Sequence, residues 1–262
     1  AVSALPSITA MGMAALLPGA SSSYSVVEHK GGLASRISDN VMPTLKERKK
    51  YLKAVRPDSV DIPLDDLLLW SSARVAKKLA DSPLVVVRSQ EIDSVGESGH
   101  ELAARQTMGS IIGNIARAVR KLAKLGIEQF VITSDHGHQF SIRKGDDMTM
   151  DRPGGDTVDQ HRRCWAGHGG QTSAASVRVS GAQLGYASDL DFIFPRGLAV
   201  FKSGGDKAFH HGGISLQEMV IPVITLRMPV SSMDVPASSK VKLSGLPTVL
   251  TNRTFGLTLV RQ

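Results

Sequence analysis

Residues 127–137 read IEQFVITSDHG, an apolar β-branched run that stops abruptly at Ser-Asp-His-Gly. Such a run reads as a buried strand, and its polar end reads as the place where a strand delivers functional groups. Upstream, residues 101–125 carry Ile111, Ile112, Ile115, Val119 and Leu122 at helical spacing, and Gly126 ends that helix. Before it lies PLVVVRS, residues 83–89, another short apolar run. Strand, helix and strand with short connections predict an α/β fold built on a parallel sheet. Residues 64–80 add one more helix, acidic at its start (Asp65, Asp66) and basic at its end (Lys77, Lys78), as the helix dipole favours. GLAVF at 197–201 and MVIPVITLR at 219–227 return to strand character, whereas 138–195 reads as a long irregular insertion rich in Gly, Asp, Arg, Ser and His. After it, a Pro/Ser linker opens near 229 and an alternating β segment runs to 262, so a boundary is expected between 1–228 and 229–262.

Composition narrows the class. The 262 residues are 42% hydrophobic and 21% charged, an ordinary globular balance. A chain of this length buries roughly three quarters of its unfolded surface and needs no staple to fold. No apolar run reaches about 18 residues, so no transmembrane helix and no membrane association are expected. The single cysteine, Cys164, excludes an internal disulfide and suits a reducing, cytoplasmic setting. The first twenty residues are apolar but lack a basic start and contain Pro6 and Pro18, so they read as interior sequence of a longer protein.

The net charge of +7 is concentrated. Residues 30–56 hold eight basic and two acidic side chains, among them Lys46, Arg48, Lys49, Lys50 and Lys53. A solvated face is the plain reading; a surface that attracts nucleic acid is the sharper one. Only Tyr51 interrupts the run, so no base-stacking platform is indicated. Arg117, Arg120, Lys121 and Lys124 form a second basic cluster on the predicted long helix.

Four polar clusters are candidates for chemistry. Asp135 and His136 offer an oxygen and an imidazole, a pairing suited to zinc or a similar ion. Asp93 and Glu97, four apart, share a face if their segment is helical, with His100 a rival ligand close by. His211 stands before two glycines that leave room around it, preceded by His210. Thr9 follows Leu5-Pro6-Ser7-Ile8 at the start of a helix-like stretch, where a threonine is either a cap or a hydroxyl exposed to the dipole and to any nearby cation. Each cluster alone also fits a turn, a solvated helix start, a surface histidine pair or a cap.

Taken in order, PSIT, IDSVGE, VITSDHG and HHGGISLQEMVIPVI resemble the PglZ domain of BREX and Pgl bacteriophage-defence systems, a branch of the alkaline phosphatase superfamily. LPSITAMGMAALLPG and HHGGISLQEMVIPV are the specific stretches, and the resemblance spans roughly residues 1–228. It implies an alkaline-phosphatase-like fold, a mostly parallel sheet sandwiched by helices, and a site with two divalent metal ions, zinc first, manganese or magnesium next. Thr9 matches the nucleophile, Asp135 and His136 the ligands of one ion, and Asp93 and His211 ligands of the other. Glu97 stands where the superfamily often has a histidine, which makes the site harder and richer in oxygen. A further acidic ligand, contributed upstream of the nucleophile in the superfamily, has no match in this sequence. Metal-dependent hydrolysis of a phosphoester or phosphodiester, with nucleic acid as substrate and other BREX proteins as partners, is the expected activity; Arg163 is one arginine available to balance phosphoryl charge. A catalytically silent PglZ-fold scaffold within the defence complex is the rival reading. The Cys/Ser-x-Pro-x-Arg pattern of sulfatases is absent.

Overall fold

The computed structural model describes residues 1–80, 82–97, 101–140, 148–202, 209–228, 241–244 and 258–261. The architecture is mixed α/β with several sheets. The chain opens with helix α1 (Thr9–Ala15) and a short turn of helix α2 (Ala20–Ser23). An antiparallel meander follows: β1 (Tyr24–His29), β2 (Gly32–Ile37) and β3 (Asn40–Met42). Helix α3 (Leu45–Val55) carries most of the basic window, and Thr44 caps it by accepting from the Lys46 amide. Leu52 of α3 packs with Ala14, Leu17, Ile37 and Met42, which fixes α3 beside α1.

A parallel β-α-β unit comes next. Strand β4 (Val60–Pro63) runs parallel to β5 (Val85–Arg88), and helices α4 (Leu64–Leu69) and α5 (Ser72–Leu79) form the crossover. The helix expected over 64–80 is therefore two helices. Trp70 adopts an extended conformation, and Ser71 starts α5 by accepting from the Arg74 amide. The carbonyls freed at the break are gathered by Lys121, whose Nζ donates to Leu67 O (2.7 Å), Leu68 O (3.3 Å) and Trp70 O. This lysine leaves the surface cluster in which the sequence places it and acts as a charged cap on α4. Lys121→Met should lower stability by about 1–3 kcal/mol, because carbonyls are left without a donor; urea unfolding of the variant against the parent checks this.

Helix α6 (Glu91–Gly96) and the long α7 (Glu101–Ala123) lead to β6 (Gln129–Thr133). Ala118 and Leu122 of α7 join Ile62, Leu64, Leu67, Val75 and Leu79 in one apolar cluster under the β-α-β unit.

The 138–195 region corrects a sequence expectation, since most of it is a folded sheet. Strands β7 (Gln139–Phe140) and β8 (Thr149–Met150) precede β9 (Asp156–Gln160), β10 (Trp165–His168), β11 (Ser176–Ser180) and β12 (Asp191–Pro195). The last four form an antiparallel sheet in the order β11-β12-β10-β9. Its Cys164, Ala166, Phe192 and Phe194 bury against Ile8 and Met11, making it the platform for the start of α1. Strands of four or five residues separated by glycines leave too little periodicity to be read as strands.

Strands β13 (Val200–Phe201) and β14 (Phe209–His210) pair with β8 and β7, and α8 (Leu216–Met219) leads to β15 (Val223–Arg227). β15 pairs antiparallel with β6, Thr133 opposite Val223 and Gln129 opposite Arg227. The mostly parallel sheet is thus corrected: among the described residues eight of ten strand pairings are antiparallel. A β-branched run specifies a strand but not the direction of its neighbour, which long-range packing selects. Nor is β6 fully buried, as Val131 is 65% exposed. β16 (Val241–Ser244) and β17 (Thr258–Arg261) form an antiparallel pair. The linker expected from about 229 lies outside the described residues. Among those described, no helix is long and apolar enough to cross a membrane.

Candidate metal and phosphoester site

Four segments converge at one end of the strands. Thr9 begins α1, Asp93 lies on α6 after β5, Asp135 and His136 follow β6, and His211 follows β14. Thr9 is not a cap. Ile8 holds the N-cap position without a side-chain bond, and Thr9 Oγ1 instead lies 3.1 Å from His136 Nε2. Two close approaches make this possible. Gly12 lies so near the Asp135 carbonyl that a Cβ there would stand 2.2 Å from the oxygen, so any side chain would push α1 off the Asp-His turn. Ser7 binds the other side: its Oγ donates to Gly213 O (2.7 Å) and accepts from the Gly212 amide (3.1 Å). Gly212 takes φ +113°, a left-handed conformation that glycine tolerates.

The two histidines share an arrangement. His136 Nδ1 lies 2.9 Å from Gly137 O and His211 Nδ1 lies 3.3 Å from Ser7 O. A carbonyl only accepts, so Nδ1 carries the proton on each neutral ring and Nε2 keeps its lone pair. The rings are stacked, with centroids 4.2 Å apart and planes 10° from parallel. Backbone carbonyls that fix the tautomer in this way are the usual support of metal-binding histidines. His136 Nε2 lies 3.6 Å from Asp93 Oδ2 and 3.5 Å from Asp135 Oδ2, and His211 Nε2 lies 3.6 Å from Glu97 Oε1. One donor atom each from Asp93, His136 and His211 falls within 4.8 Å of the others.

Electrostatics point the same way. Burial raises the Asp93 carboxyl, His136 opposes this, and Glu97 adds to it. Asp135 is likewise raised by burial and by Asp93, against His136, and its Oδ2 is sealed from solvent with no hydrogen-bond partner. Burial, then His136, lowers His211 and keeps it neutral. A neutral His211 imidazole and crowded carboxylates with an orphaned oxygen suit a divalent cation, which relieves both the burial and the repulsion. The residues present fit such an ion.

The structure therefore gathers Thr9, Asp93, Glu97, Asp135, His136 and His211 into one site. His100 lies outside the described residues, and His210 is buried behind Phe209 in β14. Arg88 escaped the sequence reading, and His138, for which the sequence favours a surface role over lining the site, joins it here. His138 lies against Phe209, with ring centroids 4.6 Å apart and planes tilted by 30°, and faces Asp93, His136 and His211. Arg88, at the end of β5, lines a cavity of about 410 Å³ beside Thr9. Arg163 is corrected in the opposite sense. It is fully buried and donates to both Glu218 oxygens, from Nε at 3.0 Å and Nη2 at 2.8 Å, so it is spent on the fold. The basic helix divides: Lys46, Lys49, Lys50 and Lys53 are exposed, whereas Arg48 is buried and lines the cavity.

Comparison with known proteins identifies the family of the chain. Residues 1–226 match the family described as the BREX system PglZ alkaline phosphatase-like domain. The alkaline phosphatase-like protein BrxZ of Escherichia coli O9:H4 (strain HS) is 26% identical over 234 residues, 85% of this chain and 26% of that protein. The alkaline phosphatase-like protein PglZ of Bacillus cereus (strain H3081.97) is 26% identical over 259 residues, 95% of this chain and 29% of its own length. The chain thus spans little more than a quarter of the curated relatives it matches. With the match running from Ala1 through α1, the Asp-His turn, the two-glycine segment and β15, the chain belongs to the PglZ family of BREX systems, alkaline phosphatase-like proteins.

Proposed function

We propose that this chain carries the hydrolytic site of a metal-dependent phosphoesterase in which Thr9 is the nucleophile. The observation that carries the proposal is the approach of Thr9 Oγ1 to within 3.1 Å of His136 Nε2, beside the Asp93, His136 and His211 donors. Asp93, Asp135, His136 and His211 would hold the cation, with Glu97 at its edge. Two divalent ions, zinc before manganese or magnesium, is the stoichiometry in keeping with the family, and the mixed imidazole and carboxylate donors suit zinc. Bound there, the ion supplies positive charge that favours the ionised Thr9 hydroxyl and polarises the phosphoryl oxygens. Thr9 Oγ1 attacks phosphorus and gives up its proton to solvent. The bond from phosphorus to the leaving oxygen breaks, and that oxygen takes a proton from solvent to leave as the alcohol. Water then hydrolyses the phospho-Thr9 ester to release the phosphate product and restore the hydroxyl.

The exposed lysines of α3 support a nucleic-acid phosphodiester as substrate, since Lys49 also lines the cavity beside Thr9. The matching family is described as a BREX system domain, and other components of such a system are the proposed partners.

Elemental analysis and hydrolysis of a bis-aryl phosphate, with zinc or manganese supplied, test the proposal together. The parent protein should retain metal and turn the ester over. His136→Ala should lower metal affinity about 10- to 100-fold or more and abolish turnover. Metal-free parent protein, or a His136→Ala variant that matches it, would replace the hydrolase with a scaffold.

A further inference from the structure

Arg48 does something its neighbours on α3 do not. Its side chain turns inward and is 6% exposed. Nε and Nη1 are both shut off from solvent and have no hydrogen-bond partner. Guanidinium groups stay protonated in proteins, so these are charged donors left unsatisfied in the interior. Native structures rarely leave such donors empty unless a water or ligand completes them.

The surroundings say what kind of ligand. Arg48 lines the cavity of about 410 Å³ that also opens onto Thr9, Met13, Lys49 and Arg88. The charged groups that face it are Arg88, Asp135 and Glu47, with the Tyr24 hydroxyl, which burial keeps neutral. Glu47 is spoken for by Thr44. Arg88 is neutralised by Asp61, Nε to Oδ2 at 2.8 Å, and Lys49 adds a longer contact to the same carboxylate at 3.7 Å. Arg48 itself has no ion-pair partner among the described residues. Asp135 is the acid nearest in kind, yet its Oδ2 makes no hydrogen bond and meets His136 Nε2 instead, at 3.5 Å. Arg48 and Asp135 therefore face each other without meeting, beside the Thr9 hydroxyl. A cation satisfies the Asp135 side of that gap, and an oxyanion satisfies the Arg48 side.

We propose that Arg48 is the anchor for a phosphate oxygen of the ligand, held by its fork of N–H donors at the wall of the Thr9 cavity. The ligand class is a tetrahedral phosphate group, either free or at the head of a nucleotide-sized ester. Asp65 and Glu91 also line the cavity, and the negative charge they share disfavours a second phosphate beside the first, so the ligand brings one phosphate into it. As a statement about substrate binding this rests on the hydrolase reading above, but occupancy by phosphate does not require turnover.

Calorimetric titration of the purified chain with orthophosphate, in EDTA and again with manganese, tests the anchor. Parent protein should bind saturably. Arg48→Met should weaken binding about 10- to 100-fold, the equivalent of losing hydrogen bonds to a charged group. Arg48→Lys, which keeps the charge and loses the fork, should fall between them. Lys77→Ala, an exposed cation on α5, should bind as the parent does. Circular dichroism establishes that each variant is folded, and Arg48→Lys carries the test if Arg48→Met is not. A folded Arg48→Met or Arg48→Lys variant with parental affinity in both conditions overturns the proposal, as does a Lys77→Ala variant that loses as much. Absence of saturable binding by the parent in both conditions also overturns it. Phosphate binding that depends on Arg48 in a protein that hydrolyses no ester would sink the hydrolase reading and leave the anion site standing.

Discussion

Replacing Glu218 with alanine is expected to destabilise the protein by about 3–5 kcal/mol, the cost of leaving a buried charge without its partner. That is a large share of the roughly 5–15 kcal/mol by which domains are stable. Glu218 and Arg163 are both fully buried. The carboxylate accepts two bonds from Arg163, one from the Gly213 amide at 2.9 Å, and one each from the Ser215 amide and hydroxyl at 3.1 and 2.6 Å. Arg163 also donates to Ala199 O, so the pair ties β10's approach, β13 and the start of α8 together. Its loss would release the Gly212–Gly213 segment that seats His211 beside Ser7. Urea unfolding should show a lower midpoint for Glu218→Ala, with much of the loss recovered when Arg163→Met and Glu218→Leu are combined, because the two together leave no lone charge. Recovery that fails to appear would mean the pair acts through something other than charge compensation.

The same pair sets an acid limit. Burial alone would raise the Glu218 carboxyl, but hydrogen bonds and charge from Arg163, with Ser215 and Gly213, outweigh it and hold the group below its ordinary value. A carboxylate depressed on folding contributes its stability above the unfolded value, near pH 4, and loses it as pH falls through the folded value. Glu218→Gln should therefore be less stable than the parent at neutral pH, with the gap closing only below about pH 4.

Thr9→Ala should remove ester hydrolysis by at least about 10³-fold in metal-loaded protein, since no other hydroxyl is held against His136 in the described site. Thr9→Ser should keep much of it. Thr9 makes no cap bond, so both variants should unfold within about 1 kcal/mol of the parent and retain parental metal content. That separates Thr9 from His136, whose loss should remove metal and turnover together. Parental hydrolysis by Thr9→Ala would place the nucleophile elsewhere.

What could be read before the fold was known differs from residue to residue. Asp135 and His136 were legible because an apolar β-branched run ends at them, and strand ends are where such groups collect. Thr9 and His211 were legible through PSIT and HHGG, short patterns whose glycines and helix start serve close approach. Gly12 gives no such signal, although a single Cβ there would break the contact that brings Thr9 to the Asp-His turn. The strands of 156–195 were hidden by their brevity, and with them the fact that they floor the site. Lys121 and Arg48 were misplaced for one shared reason. A long cationic side chain on a polar stretch reads as solvated, and only tertiary contacts reveal an interior acceptor, or the lack of one.

The sequence by itself determined the family, the α/β class, which residue types stand at the candidate site and the concentration of positive charge in residues 30–56. Those properties are local: residue type, spacing and the punctuation of glycine and proline. The tertiary structure alone decided that β6 pairs antiparallel with β15, that Arg163 closes on Glu218, and that Arg48 leaves the basic surface to face the Thr9 cavity. Each of these depends on which segments, far apart in the chain, exclude water from one another. Charge becomes structural or chemical only after that burial is settled.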